Sequence, residues 1–150
     1  MQTFMPYTSY KETAECLDYR RLGKQRVEAK QILIALGIDV GDHKGNKGSR
    51  WKNHPAVKMW KGCEASLCHY AIAMCNEWRY RGYNDTMLWQ FVEAWQRLRS
   101  AGANMSFPAW VGDKEVHSSH RSNLLRKDAN HYGFFGWPES PDMPYVWPVA

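Results

Sequence analysis

The sequence predicts an all-α fold in a single domain spanning residues 1–150, with about five helices and an extended, aromatic and proline-rich C-terminal tail. Three observations carry that expectation. Apolar residues recur at spacings of three, four and seven along several segments, which is the period of one helix face. Cap-forming residues and glycines bracket those segments. No segment alternates apolar and polar residues as a half-buried strand does, and no repeat of fixed period is present.

Ser9 and Glu12 fit a capping box and predict a short helix from Tyr10 to Asp18. The next helix runs from Arg20 to Leu36, with Leu22, Ala29, Ile32, Leu33 and Leu36 on one side and Gly37 as its stop. Residues 38–52, IDVGDHKGNKGSRWK, shift to Gly, Asp, Lys and Asn and read as a mobile basic loop within the domain. Asn53 caps a long central helix whose first turn tolerates Pro55, and whose stripe of Val57, Trp60, Leu67, Ala71, Met74 and Trp78 persists to Gly82. Asp85 opens a further helix carrying Leu88, Phe91, Val92, Trp95 and Leu98 and ending near Gly102. The last helix, Asp113 to Ala129, is unusually polar. The final segment, GFFGWPESPDMPYVWPVA, holds four prolines, which rules out a regular helix there.

A chain of 150 residues buries a core without metals or disulfides. No apolar run approaches the roughly 20 residues of a membrane-spanning helix, and the first residues lack the basic and apolar regions of a signal peptide. The expectation is a soluble cytoplasmic protein with no membrane partner. Cys16, Cys63, Cys68 and Cys75 include no C-x-x-C pair, and three of them fall in one expected helix. They read as reduced, core-filling thiols, with a catalytic or metal role as the alternative.

Net charge is +5 and unevenly placed: residues 20–61 carry eleven Lys and Arg against the three acids Glu28, Asp39 and Asp42. The stretch RRLGKQRVEAK alone has five cations in eleven positions: Arg20, Arg21, Lys24, Arg26 and Lys30. Such a block is the footprint of a phosphate-binding surface, so the expected partner is DNA or a nucleotide; a merely solubilising face is the bland alternative.

Several constellations bear on chemistry. Trp60, Trp78, Trp89 and Trp95 fall on or near helical stripes and read as core, whereas Trp51, Trp110, Trp137, Tyr145 and Trp147 lie in loops or the tail, where stacking on a base is an alternative. In HSSHRSNLLRKDANHY, His117 and Arg121 share one helical line while His120, Asn123 and Lys127 share the next. That face is read either as phosphate or sugar recognition or as structural hydrogen bonding. His117 and His120 lack a spaced third ligand, so no metal is expected. Trp51, Asn53 and His54 precede a helix start and make either an anion site or an ordinary cap. No Ser/His/Asp triad, phosphate-binding glycine loop or paired-carboxylate motif stands out. The nucleophile left is an amine: an α-amino group with a pKa near 8 is partly neutral at pH 7 and forms a Schiff base with a sugar carbon, and Lys24 among cations is a second route.

The segments MQTFMPY, LDYRRLGKQRVEA, WKNHPAVKMW, RGYNDT and HSSHRSNLLRKD, in this order, resemble the pyrimidine-dimer DNA glycosylases of the endonuclease V type, in their small bacterial and phage branch. The resemblance implies an all-α fold, no metal or cofactor, attack on the C1′ of the damaged nucleotide by the N-terminal α-amine, and backbone cleavage by β-elimination from the imine. It places Arg21 where the best-known branch carries its catalytic Glu, so Asp18 and Glu28 are the nearest candidate acids. Gln2 is too large for the usual excision of the initiator, so the amine is that of Met1. The expected function is a DNA-repair N-glycosylase acting through that amine, with Arg20, Arg21, Lys24, Arg26 and Arg121 on phosphates. A non-catalytic nucleotide or nucleic-acid binder on the same scaffold is the second reading, and a nucleotide-processing enzyme using His117 and His120 the third.

Overall fold

The protein is described by a computed structural model over residues 1–149. Among these residues it has seven α-helices, a 3-10 turn and no strand: α1 Tyr10–Cys16, α2 Tyr19–Ala35, α3 Pro55–Lys58, α4 Glu64–Tyr80, α5 Leu88–Ser100, α6 Lys114–Lys127, α7 Ala129–Tyr132, and the turn Gly133–Phe135. The expected all-α class therefore holds, with more and shorter helices than the five expected. Central α4 packs against α1, α2 and α5. Leu22, Ala29, Ile32 and Leu33 of α2, Leu67, Tyr70, Ala71 and Met74 of α4, and Phe91 and Ala94 of α5 are buried in one cluster. The apolar stripes read from the sequence are this core.

Helix ends depart from expectation where a side chain does something else. Ser9 caps α1 by accepting from the Glu12 N–H at 3.1 Å. Asp18, expected to close α1, caps α2 instead. The single central helix is two. His54, not Asn53, caps α3, its Nδ1 accepting from the Ala56 N–H at 3.0 Å, and the helix stops after one turn. Gly62 then turns the chain in the left-handed region, at φ +83°, before α4 begins. Val57 and Trp60 stay buried through this break, so the apolar spacing conceals it. Asp85 lies ahead of α5, its carboxylate accepting from the N–H groups of Met87 and Leu88 at 3.1 and 2.7 Å. Asp128 ends α6 and caps α7, breaking the helix that the sequence predicted to run on to Ala129.

Loop 38–52 is laced to its flanks. The Asn46 N–H donates to the Ile34 carbonyl at 2.7 Å, and Gly45 donates to Asp39 Oδ1 at 2.8 Å. A Cβ on Gly45 would come within 2.2 Å of the Gly37 backbone, so this crossing requires glycine.

Residues 2–6 run buried and extended through the fold, and side chains satisfy their backbone groups. The Phe4 N–H donates to Gln25 Oε1 at 2.9 Å, and the Tyr70 hydroxyl donates to the Phe4 carbonyl at 2.8 Å. The Met5 N–H donates to His120 Nδ1, and Arg121 donates to the Pro6 carbonyl, both at 2.7 Å. Trp60 Nε1 donates to Thr3 Oγ1 at 2.8 Å. The polar face of α6 also holds the tail. Ser122 Oγ accepts from the Met143 N–H at 2.9 Å, Ser119 Oγ accepts from the Val146 N–H at 3.1 Å, and Asn123 donates to the Met143 carbonyl at 3.2 Å. Two segments without helical hydrogen bonds thus find their partners on one helix, which explains its polarity.

Two tryptophan assignments need correction. Trp89, expected in the core, is 68% exposed, whereas Trp110, a stacking candidate, is buried with its Nε1 donating to the Met59 carbonyl at 2.8 Å.

Candidate active site

The buried N-terminal segment delivers Met1 to the basic face of α2. Met1, Gln2 and Phe4 meet Arg20, Arg21, Lys24, Gln25 and Glu28 there, and Lys127 from α6 and Tyr145 from the tail complete a cleft of about 430 Å³. Arg20, Lys24 and Lys127 are exposed, and Glu28 is half-buried. Four cations and one carboxylate therefore surround the end of the chain, a field suited to phosphate around a single proton-transferring group.

Gln25 organises this cleft, although its residue type carries no charge to flag it. It is 1% exposed and fully bonded. Its Nε2 donates to the Gln2 carbonyl at 3.1 Å and to Glu28 Oε2 at 2.8 Å. Its Oε1 accepts from the Phe4 N–H at 2.9 Å and lies 2.7 Å from the Tyr70 hydroxyl, whose single proton it shares with the Phe4 carbonyl. One carboxamide thus fixes both the N-terminal segment and the Glu28 carboxylate. The only sequence signal was a Gln three residues before a Glu inside a basic helix.

The two candidate acids are separated. Asp18 is 7% exposed, accepts from the Tyr132 hydroxyl and from the Arg21 guanidinium at 3.1 Å, and is absent from the cleft lining. Burial alone would raise its pKa, but the hydrogen bonds from Tyr132 and Arg21 prevail and hold it below the usual carboxylate range. Asp18 is a cap and an anchor, whereas Glu28 faces the cleft.

The basic block also divides. Arg26 forms an ion pair with fully buried Asp85 and lies 4.5 Å over the Trp78 ring, so its charge serves the packing of α2 on the turn before α5. Arg21 lines the cleft while bonded to Asp18. Arg20 and Lys24 remain outward-facing.

His54 stands near the amine. Burial first, and then the positive charge of the N-terminus, push its pKa below the ordinary value. Because its Nδ1 accepts from Ala56, the neutral ring carries its proton on Nε2 and acts as a donor. Its ring contacts Trp51 and Trp147 edge-on, with centroids 6.0 Å apart in each pair. Asn53 is exposed beside a one-turn helix, too short for the anion site the sequence suggested.

The face of α6 expected to meet phosphate is turned inward. His117 and His120 are buried against Met5, Asn123 is buried against the tail, and Arg121 forms a bidentate pair with Glu139 at 2.9 and 2.8 Å. Both ring nitrogens of His117, Nδ1 of His120 and the side chains of Arg121 and Asn123 are bonded within the chain, and Nε2 of His120 is buried without a partner, so Lys127 alone of that set reaches the cleft. A larger cavity, about 760 Å³ between α1 and α4, is lined by Glu15 and Glu77 and contains none of the sequence-predicted residues. Its acids, Glu15 and Glu77, outnumber its one cation, Lys11, whereas the Met1 cleft carries four cations against one carboxylate.

All four cysteines are free thiols, and burial pushes those of Cys16 and Cys68 up to about 12, so they stay protonated as core residues. No helix among the described residues is long and apolar enough to cross a membrane.

Residues 1–91 fit the model of the family described as pyrimidine dimer DNA glycosylase. The chain belongs to this family. The match includes the N-terminal segment and all of α2, which build most of the cleft, together with the His54 cap and the RGYNDT turn outside it; Lys127 of α6 and Tyr145 of the tail lie beyond the match. Membership in a DNA-repair glycosylase family accords with the cationic rim. No curated protein and no solved structure matches the chain.

Proposed function

We propose that the protein is a DNA N-glycosylase with AP-lyase activity, using the α-amine of Met1 as nucleophile. The observation that carries this reading is the convergence of Met1, Glu28 and exposed Arg20, Lys24 and Lys127 on one cleft in a chain of the glycosylase family. The neutral amine attacks C1′ of the target nucleotide, the C1′–N bond breaks, and the base leaves with its electron pair and a proton from the site. Loss of the amine's protons and opening of the sugar give an imine between the α-nitrogen and C1′. Removal of a C2′ proton from the imine then expels the 3′ phosphate by β-elimination. Glu28 is the acid and base, since it is the carboxylate that lines the cleft. Gln25 keeps it beside the N-terminal segment. Arg20, Lys24 and Lys127 hold the flanking phosphates, and His54 donates from Nε2.

Binding without catalysis is the second reading, favoured by Arg21 standing in place of the carboxylate used by the best-known branch. Borohydride trapping separates the two. Protein incubated with duplexes carrying a pyrimidine dimer or an abasic site is reduced, and the adduct is mapped by mass spectrometry. The expected result is a covalent adduct on the first residue that disappears on N-terminal acetylation while DNA binding persists. Tight binding with no adduct would overturn catalysis and leave the binding protein.

A further inference from the structure

Among the described residues, four buried side-chain nitrogens have no hydrogen-bond partner within the protein: Gln2 Nε2, Arg26 Nε, Trp95 Nε1 and His120 Nε2. Buried polar groups are almost always bonded, because an unpaired one forfeits its hydration without compensation. Arg26 and Trp95 do not line the Met1 cleft, and the Arg26 guanidinium is already paired with Asp85. Gln2 lines it. His120 lies behind its wall, the ring edge-on to Phe4 and Tyr145 with centroids 6.2 and 5.9 Å away.

Both nitrogens at the cleft are fixed as donors by what the other end of the same group does. The Thr3 N–H donates to Gln2 Oε1 at 2.9 Å, so the carboxamide cannot turn over to present its oxygen instead. The Met5 N–H occupies Nδ1 of His120, so the neutral ring carries its proton on Nε2. The backbone of Gln2 is held as well, its carbonyl accepting from Gln25 Nε2 at 3.1 Å, and the residue is 6% exposed. This wall of the cleft therefore has donors to offer and favours an acceptor.

We infer that the Gln2 carboxamide donates to the carbonyl oxygen beside the glycosidic nitrogen of the target base, the O2 of a pyrimidine. This rests on the reading of the Met1 cleft as a glycosylase site and adds to it the group that meets the departing base. Gln2 follows the attacking residue in the chain, and O2 sits on the carbon next to the nitrogen that C1′ releases. When that bond breaks, its electron pair passes to the base and spreads onto O2. A donor fixed in place beforehand binds the oxygen more tightly as its charge grows. No atom moves to or from Gln2, since the proton that the base takes up is that of Glu28.

Single-turnover rates of the full-length protein separate the two chemical steps. Conversion of a thymine-dimer duplex to alkali-labile sites reads base release, and scission of a duplex with a preformed abasic site reads β-elimination, in which no base takes part. Gln2→Glu keeps the oxygen that Thr3 needs but lacks the donor, and Gln2→Met lacks the donor without adding charge. Both keep residue 2 large, so Met1 stays first. In each variant base release should slow, relative to β-elimination, by on the order of tenfold to a hundredfold. Urea denaturation checks that both remain folded. Equal slowing of the two steps would mark a structural role, native base release would mean that the donor meets only water, and slowing in Gln2→Glu alone would be an effect of its charge. Each of these overturns the contact while leaving imine trapping by native protein intact. Failure of native protein to cleave or be trapped on the abasic duplex overturns the glycosylase reading itself.

Discussion

The Met5 N–H donates to Nδ1 of His120 at 2.7 Å, and the ring that accepts it is fully buried. Across the same residue, His117 Nδ1 donates to the Met5 carbonyl at 2.7 Å while its Nε2 accepts from the Gly112 N–H. Both imidazoles must be neutral for this clamp to close. Burial, and then the neighbouring His117, push the pKa of His120 down to about 3. The unfolded chain, with a histidine pKa near 6.5, therefore binds a proton that the folded chain refuses.

Stability should consequently fall as pH drops below about 6.5, by up to about 1.4 kcal/mol per pH unit from this residue. His54, also depressed, acts in the same direction. Urea denaturation between pH 7.5 and 5.5 measures the slope above the range where Asp18 and Glu139 titrate in the unfolded chain. His120→Asn, which keeps an acceptor without a titrating proton, should flatten it. An unchanged slope in that variant would show that the clamp is not the acid-sensitive element.

Charge changes along α2 should separate into two kinds. Arg26 and Asp85 have side-chain exposures of 13% and 0%, so Arg26→Gln leaves a buried carboxylate unpaired and should destabilise by about 3–5 kcal/mol. Arg20, bonded to the exposed Tyr19 hydroxyl, and Lys24 are both solvent-exposed, so Arg20→Glu and Lys24→Glu should leave the urea midpoint in place. They should instead weaken DNA binding and reduce its log–log salt slope by about one for each phosphate no longer neutralised. Equal effects of all three on stability would contradict the division.

Gly23→Ala would raise helix propensity by roughly 1 kcal/mol on an open surface. Here the added methyl meets the Trp78 ring at 2.9 Å, and Tyr83 stacks on that ring while Arg26 lies over it. The ring has no free rotamer to retreat into, so a net loss of about 1–3 kcal/mol is expected. Urea denaturation followed by tryptophan fluorescence checks the sign.

Much of this architecture was legible in sequence because it depends on period and caps. Leu22, Ala29, Ile32 and Leu33 form the face their spacing predicted, and Ser9 caps as its box predicted. What the period could not reveal was the break at Gly62, since Val57 and Trp60 before it and Leu67 after it all stay buried at helix-like spacing. Charge was legible, but its destination was not. Arg26 and Arg121 look like phosphate ligands until Asp85 and Glu139, 59 and 18 residues away, are seen beside them. The histidines of α6 misled for the same reason, since a helix turned toward an extended segment needs the same polar residues as one turned toward a ligand. Gln25 escaped notice because a neutral amide announces nothing until its partners are known.

Asp18 and Glu28, the two acids that the sequence left open, should respond differently to substitution. Asp18 caps α2 and holds the Tyr132 hydroxyl, so Asp18→Ala should destabilise by about 1–3 kcal/mol through the lost cap and the unpaired phenol. Its folded pKa lies below the unfolded value near 3.9. Its contribution is therefore full above that value and is lost as pH falls through the folded one. Glu28→Gln keeps an oxygen for the Gln25 donor and should leave the urea midpoint nearly unchanged. Without a proton-transferring group at the cleft, however, base release and β-elimination should slow by about 10²–10⁴-fold. Single-turnover cleavage of dimer-containing and abasic duplexes reads the rates, and denaturation reads the stability. If Asp18→Ala abolishes turnover while remaining as stable as the native protein, and Glu28→Gln stays active, the acid is Asp18 and the cleft assignment of Glu28 is wrong.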